Sequence, residues 1–280
     1  MIAATLALSA ILVSPAWIAD QQAVQAPLVL FQIGDRADYD SGHIPGAQFI
    51  STRDVSDPDP KLNLQMASVD HLRTLFASRG VTDSSRIVLY FGTDWVTPTA
   101  RVLVALDYLG LGERTFYLDG GLPAWKAEGR PLSKDEPPPS AGTLTPHPQP
   151  SVIADAAWIQ AHLNDPRVAI VDSRTAGFYT GEQAGRYPRQ GHIAGATNIP
   201  FTSLFGDGDK LKPEASLRAA FEAAGAKSGG EVATYCHIGQ QASAVYLAAK
   251  ALGYKVRLYD GSFEEWSARP ELPVETGGRK

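Results

Sequence analysis

The sequence predicts an α/β protein of two tandem domains, each a mostly parallel sheet with helices on both faces. Three observations point there. Short apolar runs alternate with stretches of helical spacing, the pattern of strands joined by crossover helices. Four motifs of the first half return in the second in the same order. A proline-rich stretch separates the two copies. At 280 residues the chain is long enough for two ordinary domains, each with its own core.

The N-terminus, MIAATLALSAILVSP, is almost wholly apolar up to Val13, too short to span a bilayer and without the basic start of an export signal. It reads as an apolar first strand, Ile11 to Val13, behind a short leader, with a cytoplasmic location. The alternative is the remnant of a longer export signal, with a periplasmic one. The repeats follow. Ala16-Trp-Ile18 returns as Ala157-Trp-Ile159, and Gly42-His-Ile-Pro-Gly-Ala47 as Gly191-His-Ile-Ala-Gly-Ala196. The stretch Leu72 to Gly80 returns as Leu217 to Gly225, and Asp119-Gly-Gly-Leu-Pro-Ala-Trp125 as Asp260-Gly-Ser-Phe-Glu-Glu-Trp266. Between the copies lies Pro131 to Pro150, where repeated prolines favour an extended, semi-rigid connection. The expected division is therefore a first domain over residues 11–132, a linker over 133–150 and a second domain over 151–276.

In the second half, Val168 to Val171 reads as a buried strand ending at Asp172. Ala215 to Ala224 has helical spacing closed by Gly225, and Val232 to Tyr235 is the next strand. Ser243 to Leu252 is a helix stopped by Gly253, and Lys255 to Tyr259 is a strand running into Asp260-Gly261. Ligands of such sheets sit beyond the carboxyl ends of the strands.

Composition narrows the function. A formal charge of −5 with no Lys/Arg cluster argues against a nucleic-acid partner. One cysteine, Cys236, excludes an internal disulfide and suits a reducing compartment. A lone cysteine is more often a small core residue than a nucleophile, but Cys236 lies one residue past a strand and six before Ala242, where a helix opens. A tight loop leading into a helix turns backbone N–H groups inward as a nest for negative charge. A thiol there is expected to have a lowered pKa and to be largely thiolate near neutral pH. Cysteine phosphatases would need an arginine six residues after the cysteine, and that residue is Ala242.

The paired Gly-His-Ile turns, the Asp-Gly…Trp elements and the loop Cys236-His-Ile-Gly-Gln-Gln241 resemble the tandem-domain rhodanese family of sulfurtransferases. The resemblance covers residues 12–275. It implies that the carboxyl-terminal domain is catalytic and that the amino-terminal one has lost its cysteine. In the first half, Asp94 falls six residues before the helix-opening Ala100, near the cysteine position. The implied chemistry is transfer of a sulfane sulfur through a Cys236 persulfide, with no metal or organic cofactor. The donor is a small anion, thiosulfate ahead of 3-mercaptopyruvate, and the acceptor is a thiophile such as cyanide or a thiol. The alternative is a persulfide carrier that docks a protein partner and turns over small donors poorly. A monomer is plausible, and no membrane span is expected.

The substrate-binding residues implied are His237, Ile238, Gly239, Gln240, Gln241 and Ala242 of the loop, with Arg174 and Arg186 nearby. Thiosulfate-preferring relatives carry two basic residues after the cysteine, where this chain has His237 and Ile238. Relatives of both kinds place an arginine where this chain has Phe178, so Arg186 or Arg189 is expected to substitute. His43 and His192 read as structural, because both halves keep them. Trp125 and Trp266 read as core anchors, and Asp172 and Asp260 as caps of the loops that follow them.

Overall fold

Strand Arg86–Phe91 alternates side chains between two buried surfaces: Ile87, Leu89 and Phe91 enter one core, Val88 and Tyr90 another. A sheet buried on both faces needs helices on both sides, and the chain supplies them. The computed structural model describes residues 11–58, 61–93, 96–138 and 140–278.

The first half contains β1 (Leu12–Val13), α1 (Pro15–Ala23), β2 (Leu28–Ile33), α2 (Arg36–Ser41), β3 (Ala47–Ile50) and α3 (Val69–Ser78). It continues with β4 (Arg86–Phe91), α4 (Val96–Tyr108), β5 (Thr115–Leu118) and α5 (Gly121–Ala127). The second half contains β6 (Ile153–Ala154), α6 (Ala156–Ala161), β7 (Val168–Asp172), α7 (Ala176–Thr180), β8 (His192–Ile193) and β9 (Thr197–Asn198). Then come α8 (Glu214–Ala223), β10 (Glu231–Tyr235), α9 (Gln240–Ala251), β11 (Lys255–Tyr259), α10 (Ser262–Ala268) and β12 (Val274–Glu275). The strand orders are β1-β5-β4-β2-β3 and β6-β11-β10-β7-β9, the same order twice, and every pairing within the two sheets is parallel.

Helices α4 and α9 pack against each other between the sheets, so one continuous core joins the halves, and each half closes its outer face with a smaller core of its own. The proline-rich stretch lies on the first half. Gly142 N–H donates to Ala77 O at 2.7 Å, Gln149 N–H to Tyr108 O at 2.8 Å, and Leu144 is buried.

The repeated motifs build one frame twice. Tyr39 stacks on His43 and Tyr179 on His192, both at 3.8 Å between ring centroids. Each histidine Nδ1 meets the carbonyl of its tyrosine, at 3.0 and 2.7 Å. The Tyr90 hydroxyl accepts the Ile44 N–H at 3.1 Å, and the Tyr235 hydroxyl accepts that of Ile193 at 3.0 Å. Trp125 and Trp266 are buried and donate their indole N–H to Pro131 O and Pro273 O. The two aspartates of the repeat reach across: Asp119 accepts the Leu211 N–H of the second half, and Asp260 accepts the Met66 N–H of the first.

Removing either tyrosine hydroxyl strands a buried N–H, at about 1–3 kcal/mol. Tyr90→Phe and Tyr235→Phe should each lower unfolding free energy by about that amount, measured by urea denaturation.

Candidate active site

Cys236 follows β10 directly and is wholly buried in the shared core. Gly239 has φ +86°, a left-handed conformation that glycine adopts without strain, and it caps α9. The helix therefore starts at Gln240, inside the loop, earlier than the spacing around Ala242 and Ser243 suggests. Ser243 holds the turn closed, its hydroxyl donating to Gly239 O at 2.8 Å. The result is a cradle in which the backbone N–H groups of Ala242, Ile238, Gly239 and Gln241 hydrogen-bond toward the sulfur. The side chain of Gln240 turns away, donating to Thr97 Oγ1 of α4 at 3.4 Å.

The acidity of Cys236 differs from the expectation. Burial pushes the thiol up, and the four amides only partly pull it back, so its pKa lies above the ordinary thiol value. Cys236 is buried, and loss of solvation outweighs the dipoles of the loop.

A segment after β11 holds the cysteine backbone. The Cys236 N–H donates to Ser262 Oγ at 3.3 Å, Phe263 N–H to Cys236 O at 3.0 Å, and Glu264 N–H to His237 O at 3.1 Å. Ser262 has φ +49°, a conformation strained for a residue with a Cβ, and its hydroxyl also donates to Tyr259 O at 2.9 Å. The first half explains the strain. Tyr90 and Tyr235 occupy matching places, so the residue matching Cys236 from the strand side is Phe91, and Ser262 matches Gly121, at φ +54°. A Cβ on Gly121 would come within 2.7 Å of the Phe91 ring. The small cysteine leaves room for a serine where the phenylalanine demands glycine. Asp94, expected near the cysteine position, lies outside the described residues. Ser262 was legible only as the single change from Asp-Gly-Gly to Asp-Gly-Ser between repeats.

The cations expected at the site are largely engaged elsewhere. Arg174 is buried, paired with Asp172 at 2.6 Å and donating to Gly191 O at 2.7 Å, with its guanidinium 4.1 Å from the Phe263 ring centroid. Asp172 thus neutralises Arg174. Arg189 cannot take the role suggested for it, because it donates to the carbonyls of Ser267, Leu272, Trp266 and Arg269. Arg186 remains at the rim, its side chain 67% exposed and 4.0 Å from Glu264. His237 is half-buried and uncharged at neutral pH: burial, then the nearby Arg174, lower its pKa to about 4. Its ring meets Phe178 edge-on at 4.6 Å and lies beside Tyr187 at 5.7 Å. The mouth of the cradle is aromatic on this side. Among the described residues no group of three His, Cys, Asp or Glu side chains could hold a metal, and no helix is long and apolar enough to cross a membrane.

Ser262 balances strain against hydrogen bonding, so two substitutions separate the effects. Ser262→Ala keeps the strain and loses the bonds, and should destabilise the fold by about 1–2 kcal/mol. Ser262→Gly loses the bonds but also the strain, and should come closer to the parent in the same urea titration.

The model of the rhodanese-like domain matches residues 14–128 and again 155–269. The chain is similar to a thiosulfate sulfurtransferase of Azotobacter vinelandii, 34% identical over 264 residues, covering 92% of this chain and 95% of the relative. It is also similar to a probable 3-mercaptopyruvate sulfurtransferase of Pseudomonas aeruginosa, 34% identical over 245 residues, covering 85% and 86%. Among solved structures, YnjE, whose Escherichia coli sequence is named a thiosulfate sulfurtransferase, superimposes with a TM-score of 0.86 at 26% identity, covering 96% of this chain and 69% of that one. Two matched domains and full-length relatives, on a frame built twice around one buried cysteine, make this chain a member of the rhodanese family.

Proposed function

We propose that the protein is a sulfurtransferase that carries a sulfane sulfur on Cys236, with the second half as the catalytic one and the first as its structural partner. The observation that carries this reading is the ring of four backbone amides directed at the only thiol of the chain. Such a ring stabilises a charged sulfur as an oxyanion hole stabilises oxygen, and it needs no metal or organic cofactor. The relatives' names, one for thiosulfate and one for 3-mercaptopyruvate, support the same reaction class.

The reaction runs as two displacements. Cys236 gives up its proton, and the thiolate attacks the outer sulfur of the donor. A new S–S bond forms at Cys236. The bond holding that sulfur in the donor breaks, and the leaving group takes the electron pair, as sulfite from thiosulfate or as the enolate of pyruvate from 3-mercaptopyruvate. An acceptor such as cyanide or a thiolate then attacks the outer sulfur of the persulfide and takes it as thiocyanate or a new persulfide. The Cys236 thiolate returns with the electron pair of the broken S–S bond.

Thiosulfate remains the first donor to test, because the thiosulfate sulfurtransferase matches over more of both chains than the equally identical 3-mercaptopyruvate relative. Its dianion meets few free charges, however. Arg174 is paired with Asp172, and His237 is neutral. Ile238 contributes an amide but no cation. Arg186 at the rim is the candidate for steering the anionic end of a donor.

Incubation with thiosulfate or 3-mercaptopyruvate should add one sulfur atom by intact-mass spectrometry, and cyanide should remove it. Cys236→Ser should take up none, and persistent loading of that variant would overturn the mechanism. A carrier would instead load sulfur but release it slowly to cyanide, which the same experiment reads. Ile238→Lys places a cation at the cradle mouth and should raise kcat/KM for thiosulfate by about tenfold, with a smaller gain for 3-mercaptopyruvate. No gain would mean that the cradle mouth does not receive the anionic end of the donor.

A further inference from the structure

Arg101 belongs to the first half, on α4, yet it is fully buried behind the cysteine cradle of the second. Its Nη2 donates to Asp260 Oδ1 at 2.6 Å and to the Leu64 carbonyl. Its Nε and Nη1 find no hydrogen-bond partner among the described residues. Nη1 lies against the cradle itself: a Cβ on Gly239 would stand 3.0 Å from it. A buried guanidinium short of partners is a costly feature, and removing its one carboxylate partner would leave an uncompensated charge.

The contacts around it lead to the reacting atom. Asp260 is held by Arg101 and by the Met66 N–H at 2.8 Å. It opens the turn that carries Ser262, Phe263 and Glu264, which hydrogen-bond the backbone of Cys236 and His237. Glu264 in turn accepts the Asn63 backbone N–H at 2.8 Å, and Gln240 reaches Thr97. The half without the cysteine therefore backs the cradle at several points, and Arg101 reaches both the turn and the loop.

We propose that Arg101 is a positioning residue for Cys236, supplied by the non-catalytic half. It fixes the Asp260–Glu264 turn and the Gly239 corner so that the four amides converge on the sulfur. The first half is then a working part of the site. The proposal rests on reading Cys236 as the sulfur carrier.

The test compares Arg101→Gln and Arg101→Lys with the parent protein. Three quantities are measured: kcat and KM for sulfur loading, the pH profile of Cys236 alkylation by iodoacetamide, and the urea midpoint. Arg101→Gln should lower kcat by about tenfold with KM within about twofold, because a displaced cradle affects the displacement more than donor binding. The alkylation profile should move to higher pH as the amides lose their aim. Arg101→Lys keeps a cation on Asp260 but cannot also support Gly239, and should recover part of the rate. A purely structural role would lower the urea midpoint and leave both kcat and the alkylation profile within twofold of the parent, which would overturn the proposal. If Arg101→Gln does not fold, Arg101→Lys decides by the same two readouts. If the parent protein takes sulfur from neither donor, the persulfide reading fails, and the alkylation profile alone decides the role of Arg101.

Discussion

A sulfur atom shut away from water can carry negative charge only where the backbone turns N–H groups toward it. Around Cys236 that requirement is met by one corner, Gly239, whose left-handed conformation lets the chain close on the thiol and start α9 in the next residue. A Cβ at this corner would crowd Arg101 and stand 3.5 Å from the Asp260 carbonyl, so the corner is tied to the packing behind it as well as to its own φ. Burial works against the charge and the amides work for it. A sulfur held in that balance gains most from the cradle when an anion forms on it.

The two halves share one set of features and differ in another. The stacked Tyr-His pairs, the tyrosine hydroxyls that accept isoleucine amides and the buried tryptophans occur in both, because each half must close the same sheet. The differences gather at the carboxyl ends of the strands. Cys236 stands where the first half has Phe91, and Ser262 stands where it has Gly121. Asp172 pairs across β10 with Tyr235, as Gln32 pairs across β4 with Tyr90. Asp172 anchors Arg174, whereas the buried amide of Gln32 has no hydrogen-bond partner among the described residues. A phenyl group fills the first site, so its surroundings need neither a hydroxyl nor an ion pair. In the second, a thiol leaves space that the strained serine uses.

The charges near the cradle divide by what already engages them. Arg174 is buried and held by a carboxylate, and the partly buried Arg189 is held by carbonyls, so both hold structure in place. Arg186 is exposed and remains available to an anion, although solvent weakens its field. His237 sits among aromatic rings, and burial keeps it neutral over the physiological range. The mouth is consequently less positive than its arginines and histidine suggest when counted along the chain.

The α/β class, the duplication, the family resemblance and the singular position of Cys236 are all legible along the chain. These rest on local patterns: strand and helix periodicity, glycines at turns, and motifs that repeat in order. The sequence also marked His43, His192, Trp125 and Trp266 as frame residues, since both halves keep them and only one keeps a cysteine. Where the helix after Cys236 begins, which amides face the sulfur and which way its acidity moves emerge only from the folded chain. Only it showed Arg189 clamped to carbonyls, Ser262 strained beneath the cysteine, and Arg101 reaching from one half into the other. The physical reason is range. Turn chemistry and periodicity are written within a few residues, whereas burial, charge pairing and contacts such as Arg101 with Asp260 join residues far apart in the chain, and nothing local encodes them.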